Sequence, residues 1–488
     1  MRAYVPVPMA ATNYVDGEWT EAESGETFEV TNPANTEEVV AEYAMGSTED
    51  AERAIEAAAA ASDEWASTPG PERGAILTQA ARLLEDRTEE LTETLTREEG
   101  KTPAEAEPEV QRAVDIFYYY AQKAGDYGGT VKAASGRESN LYTQKEPLGV
   151  AGLITPWNYP IAIPAWKIAP ALATGNAVVI KPARLAPGVA KGIVECLDEA
   201  GIPDGVVNLV IGSGSDVGGA ITDHDAVDAV SFTGSSKVGH HVYDAATDDQ
   251  KRVQCEMGGK NPTIVSDTAD VDEAVDIVAS GAFGVTGQAC TATSRAIVYD
   301  DVYDEFVDGV VAAAEDIDVG PGLDGHDMGP QVSESELEST LEYVEIGQDE
   351  GATLETGGEE VDVEGADGYF VSPAVFSDVD ENMRIAQDEI FGPVLSVIRV
   401  ESYEEAVEVA NGVDYGLAAS VVTDDHSEAN RFVDDIEAGV VKINEKTTGL
   451  ELHVPFGGMK DSSSNTYREQ GEAALDFFTT TKTVYDNY

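Results

Sequence analysis

Cysteine is scarce: the 488-residue chain holds three, Cys196, Cys255 and Cys290. An odd number without C-x-x-C spacing argues against a disulfide framework and a structural zinc site, and points to a reducing, cytoplasmic compartment. Basic residues are few as well, with 29 Lys and Arg against 93 Asp and Glu, a formal charge of −64. Such a field repels nucleic acid and anionic membranes, so neither is an expected partner. The carboxylates are spread along the whole chain among apolar-patterned segments, which describes an acidic surface and not a disordered tail. Self-repulsion of this size is relieved when salt shortens the Debye length to ~3 Å near 1 M, so a halophile's cytoplasm is the expected solvent. No run approaches the ~18 apolar residues of a membrane span. The opening "MRAYVPVPMAATNYVDGEW" (1–19) lacks the apolar centre of a signal peptide. The six histidines show no metal-ligand spacing, and no metal is expected. G-x-S-x-G is absent, which removes support for a serine hydrolase, and no G-x-G-x-x-G stands within the strand and helix series of 148–257, where it would mark the common dinucleotide fingerprint.

What is present is patterned apolar material, 42% of the chain, enough for two or three domains. Helices are expected over 49–66, 71–98 and 104–124; Pro71 suits a first turn, and Ile76, Leu83, Leu84, Leu91 and Leu95 repeat at near-helical spacing. From "LGVAGLITP" (148–156) the pattern becomes strand, helix, strand: "NAVVIKP", "GVVNLVIG" and "AVSFTG" alternate with helical stretches. That alternation implies a parallel sheet with helices on both faces, and ligands on such sheets bind beyond the carboxyl ends of the strands. The loops 155–158, 181–184, 212–214 and 233–239 lie there. A second α/β series starts near 260 and includes an expected helix over 270–288. The polar segment 126–147 is expected to pair with the strand-like 477–488.

Each chemical candidate carries two readings. "GSSKVG" (234–239) follows a strand and is either turn punctuation or a phosphate loop. Lys181 closes a strand, as a snorkelling end or as a donor to ribose or phosphate. Glu256, beside two glycines, caps a turn or serves as a general base. Cys196 falls inside a helix and reads as packing. Cys255 points opposite to Glu256 if the segment is extended. Cys290, in "FGVTGQACTAT", is either quiet core or a nucleophile on a loop.

Seven stretches stand in order: "TPWNYP" (155–160), "IKPA" (180–183), "FTGSSKVG" (232–239), "EMGGKNP" (256–262), "GQAC" (287–290), "EIFGPV" (389–394) and "PFGGMK" (455–460). Together they resemble the aldehyde dehydrogenase superfamily across nearly the whole chain. The resemblance implies an α/β fold with a Rossmann-type cofactor domain (1–125 and 148–257), a catalytic α/β domain (258–470) and a small β bridge for oligomerisation (126–147 and 471–488). It implies Cys290 as nucleophile, Glu256 as general base, Asn158 as oxyanion donor and Lys167 near the proton path. On the cofactor side it implies Lys181, Gly234, Ser235, Glu389 and Phe391, with Thr155, Trp157, Gly214, Thr233, Val238 and Met257 completing the set.

Two departures refine this. Many relatives carry Glu three residues after the "KP" lysine; here it is Arg184, which favours NADP over NAD unless it is a plain surface arginine. The long "SSSNTYREQG" ending resembles the α-ketoglutarate-semialdehyde (2,5-dioxopentanoate) dehydrogenase branch. That substrate bears a carboxylate, so a cation should line its entrance; Arg112 and Lys446 are candidates, with Phe456 as an apolar wall, although both cations suit a surface equally. The expected activity is oxidation of 2,5-dioxopentanoate to 2-oxoglutarate by a dimer or tetramer. The rivals are succinate-semialdehyde oxidation and a catalytically silent protein of the same fold.

Overall fold

The structure, a computed structural model, describes residues 12–487. The stretch used to judge a signal peptide therefore lies mostly outside the described residues. Five parallel strands form the centre of the first sheet, in the order Arg252–Glu256, Ala229–Thr233, Val150–Ile154, Ala177–Lys181 and Val207–Leu209. Asn13–Val15 and Glu18–Thr20 extend it in antiparallel fashion. Side chains alternate between two cores: Val178 and Ile180 enter one, Ala177 and Val179 the other. Apolar residues on both faces are what "AVVIK" encodes, because helices cover each side.

The second sheet runs Thr353–Thr356, Ala374–Ser377, Val394–Val400, Thr293–Tyr299, Asn261–Val265, Ala418–Val422 and Val440–Ile443. All its pairs are parallel except the first. A separate three-stranded sheet pairs Thr479–Asp486 with Asn140–Pro147, and the latter with Val131–Lys132. Among the described residues no helix is long and apolar enough to cross a membrane.

Two expected helices are corrected. The 71–98 stretch is two helices, Gly70–Asp86 and Thr88–Glu99, broken at Arg87 (φ −103°, ψ 13°). The leucine spacing runs unbroken across this point, so periodicity does not register it; the Arg87 guanidinium turns instead toward Glu199 on a neighbouring helix. The expected 270–288 helix stops at Phe283. Val285 and Thr286 then take left-handed φ values of 53° and 55°, which β-branched residues rarely adopt without outside support. The Glu105 carboxylate accepts from Val285 N at 2.6 Å, and the Thr286 hydroxyl donates to Gly329 O at 3.1 Å.

The Pro103–Lys123 helix opens with a capping box between Thr102 and Glu105, and Pro103 occupies its first turn. The start of that helix packs against the segments around Asn158 and Val285.

Candidate active site

Cys290 sits on the turn between Gly287 and the strand Thr293–Tyr299, its carbonyl oxygen held by Asn261 Nδ2 at 2.8 Å. Two cavities meet at this residue. One, of about 270 Å³, is walled by Trp157, Asn158, Thr233, Gly234, Met257 and Phe391. The other, of about 450 Å³, runs past Arg112, Tyr159, Trp166, Lys446 and Phe456. A thiol shared by two openings can receive a reactant from each side. Burial first, and then the charges of Glu389, Glu256 and Glu469, push the Cys290 thiol up to about 12, so it rests protonated. The other two thiols are buried, and Cys255 donates weakly to Gly239 O at 3.7 Å, on the far side of its strand from Glu256.

Asn158 lies on the loop after Val150–Ile154. Its amide donates to Gln288 O at 2.9 Å, which holds it beside the cysteine turn. An oxyanion needs a pair of such donors, and the Asn158 amide and the Cys290 N–H belong to adjoining segments.

Glu256 ends the strand Arg252–Glu256 but lines neither cavity. Its carboxylate accepts from Gly458 N at 3.0 Å, the Ser463 hydroxyl at 3.2 Å and Gln254 Nε2 at 3.2 Å. Burial, followed by the charge of Glu469, holds its pKa well above the usual carboxylate range. A continuous hydrogen-bonded path leads away from it. Gln254 Oε1 accepts from the Ser231 hydroxyl at 2.7 Å, Ser231 Oγ accepts from Lys167 Nζ at 2.7 Å, and Lys167 is ion-paired with Glu469.

On the cofactor side, Thr155 and Thr233 each present a buried hydroxyl with no hydrogen-bond partner among the described residues. A Cβ on Gly258 would collide with Glu389, whose Oε1 accepts from Gly259 N at 2.9 Å. Orphan donors beside a glycine-lined gap fit a nucleotide. Trp157 and Phe391 stand edge to face at 5.4 Å over this cavity. Burial pushes Glu389 up to about 7. Lys181 Nζ donates to Pro182 O at 2.9 Å, and burial, then the Arg184 charge, pulls its pKa down to about 8. Arg184 is exposed, 5.9 Å above the Phe28 ring. Gly234 and Ser235 wall the cavity; Thr155, Lys181, Arg184, Gly214 and Val238 lie beyond its lining, with Gly214 exposed at the start of the π-helical turn Gly214–Gly218 and Val238 exposed in the first turn of the helix Ser236–Asp248.

On the substrate side, Arg112 is half-buried and donates to the neutral Gln470 Oε1 at 3.0 Å. Among the described residues no carboxylate lies within ion-pair distance of it. Burial lowers its pKa from the usual guanidinium value. Lys446 is exposed at the rim, and Phe456 is buried, 6.0 Å from the Trp166 ring. Glu469, Gln470, Gln288 and Lys101 were not singled out from the sequence. Glu469 and Gln470 were visible only as part of the "YREQG" ending, with no spacing that ties them to Lys167 or Arg112.

The aldehyde dehydrogenase family model matches residues 19–484. The alpha-ketoglutarate semialdehyde dehydrogenase of Haloferax volcanii is 64% identical over 98% of this chain and 99% of its own. The 2,5-dioxopentanoate dehydrogenase of Saccharolobus solfataricus is 44% identical over 95% of this chain and 97% of its own. A crystal structure of betaine aldehyde dehydrogenase from Staphylococcus aureus in complex with NAD+ superposes with a TM-score of 0.95 at 36% identity, covering 98% of this chain and 95% of that one.

Proposed function

The chain belongs to the aldehyde dehydrogenase family, and from that premise we propose that it oxidises 2,5-dioxopentanoate to 2-oxoglutarate with NADP. One observation carries the substrate assignment. In a chain of charge −64, the Arg112 guanidinium lines the cavity that ends at Cys290 and, among the described residues, bonds a neutral amide with no carboxylate at ion-pair distance, although Glu105 and Glu109 line the same cavity. A half-buried cation on the wall of that cavity suits a substrate that brings its own carboxylate. Relatives at 64% and 44% identity bear the names of that activity.

The residues divide the work. Cys290 gives its proton to water and adds through sulfur to the aldehyde carbon, and the carbonyl oxygen becomes an anion held by Asn158 Nδ2 and the Cys290 N–H. The nicotinamide, when bound, supplies the hydride acceptor. Cys290 is then acylated as a thioester. Glu256, after rotating away from Gly458, takes a proton from water; the hydroxide adds to the acyl carbon and the sulfur leaves as thiolate. The chain Lys167, Ser231, Gln254 aims its donors at Glu256 and so positions that carboxylate. Thr233, Gly234, Ser235, Glu389 and Phe391 would hold the dinucleotide, and Lys181 with Arg184 would receive the adenosine end. Two cations side by side without a carboxylate support a 2′-phosphate there. The exposed Val131 and Tyr485 on the small sheet support assembly into a dimer or tetramer, and three free thiols fit the cytoplasm.

The test is a panel in molar KCl: 2,5-dioxopentanoate, succinate semialdehyde and pentanal, each with NADP+ and NAD+. The highest kcat/KM is expected for 2,5-dioxopentanoate with NADP+. Pentanal turned over equally well would overturn the carboxylate assignment, and a preference for succinate semialdehyde would reassign the substrate.

A further inference from the structure

Beneath the loop that carries Asn158 lies a fully buried charged cluster at the start of the Pro103–Lys123 helix. Lys101 Nζ donates to the main-chain oxygen of Asn158 at 2.8 Å and pairs with Glu109 Oε2 at 2.6 Å. It also sits 4.4 Å from the centre of the Tyr159 ring. The second Glu109 oxygen accepts from Ile161 N at 3.1 Å and Ala162 N at 3.2 Å, and so caps the helix Ala162–Thr174 from another element. The 158–162 backbone is thus held at both ends by one ion pair. Glu105, one helical turn earlier, holds Val285 N at 2.6 Å, where the backbone takes its left-handed turn toward Cys290.

We propose that Lys101, Glu109 and Glu105 are positioning residues, a clamp that sets the Asn158 amide against the Cys290 sulfur for addition to the aldehyde. None of the three takes part in the steps above, and the clamp serves any aldehyde the site accepts. Fold stability alone does not call for it, because a buried ion pair is often replaced by apolar residues with no loss. Burial pulls the Lys101 pKa down, but Glu109 and Glu99 more than offset this and raise it, so the ammonium stays charged. The Lys101 ammonium bonds the Asn158 carbonyl and the Glu109 carboxylate together. The Asn158 loop and the turn that leads to Cys290 are then both held from around one helix start, by Lys101, 57 residues before Asn158, and by Glu105, 180 before Val285.

A double-mutant cycle separates positioning from support. Lys101→Met keeps length and removes charge. The single-turnover rate of reduced-cofactor formation is expected to fall about 10- to 100-fold, with aldehyde KM and dinucleotide Kd within about threefold, since misplacement near 1 Å typically costs ~10²-fold. In an Asn158→Ala background the same change should cost less than about threefold, because there is no amide left to misplace. Glu109→Gln, which preserves shape, should repeat the pattern with a smaller loss. An equal loss in both backgrounds, or no loss in the parent, overturns the clamp. Failure of both variants to fold overturns it too, by showing that the cluster serves stability.

Discussion

Removing the Arg112 guanidinium tests substrate recognition most directly. Arg112→Met keeps much of the side-chain volume beside Phe456 and Trp166 while deleting the charge. A hydrogen bond to a charged group contributes about 1.5–3 kcal/mol, and a guanidinium offers a carboxylate two. Arg112 is half-exposed and already spends one N–H on Gln470, so solvent screening lowers the sum. About 3 kcal/mol is a reasonable figure, or roughly 150-fold in kcat/KM. Initial rates for 2,5-dioxopentanoate and pentanal, measured side by side in molar KCl, isolate the charge. The dioxo acid should lose roughly two decades, and pentanal should change less than about threefold. Arg112→Lys should recover only part, since an ammonium cannot reproduce the bidentate fork. Lys446→Met, at the exposed rim, should cost far less. A matching loss on pentanal would mean that Arg112 shapes the tunnel, and no loss on either would remove it from recognition.

Three other outcomes follow from the site. Arg184→Glu should swing the NADP/NAD preference toward NAD by at least about 30-fold, one charge-assisted contact of ~2 kcal/mol lost to the phosphate; an unchanged ratio of kcat/KM values refutes the 2′-phosphate site. Glu256→Gln should release one equivalent of reduced cofactor per active subunit and then stall, with steady turnover down about 10²- to 10⁴-fold. Mass spectrometry should find an acylated Cys290, and normal turnover would end the general-base role. Because burial pushes the Cys290 thiol up to about 12, its thiolate fraction grows with pH. Iodoacetamide inactivation of the cofactor-free enzyme should therefore accelerate about tenfold per pH unit from 7 to 10. A plateau near pH 8 would contradict the buried, protonated thiol.

Much was legible in the residues themselves. Loops such as "TPWNYP" and "EMGGKNP" hold their functional groups within a few covalent bonds, so order and spacing survive in one dimension. The alternating strand pattern was equally plain, because a strand buried on both faces has little choice but Val, Ile and Ala. What the sequence by itself determined is therefore the fold class and the family, and the family's motifs nominated the thiol, amide and carboxylate proposed to react. The tertiary structure alone decided how these are held. Arg112 meets Gln470 across 358 positions, and Glu256 is parked on Gly458 across 202. The break at Arg87 and the left-handed turn at Val285 each depend on a partner from elsewhere in the chain, Glu199 and Glu105. Such contacts carry no local periodicity, since their energy comes from bringing distant segments together, and a linear pattern records only what neighbours along the backbone require.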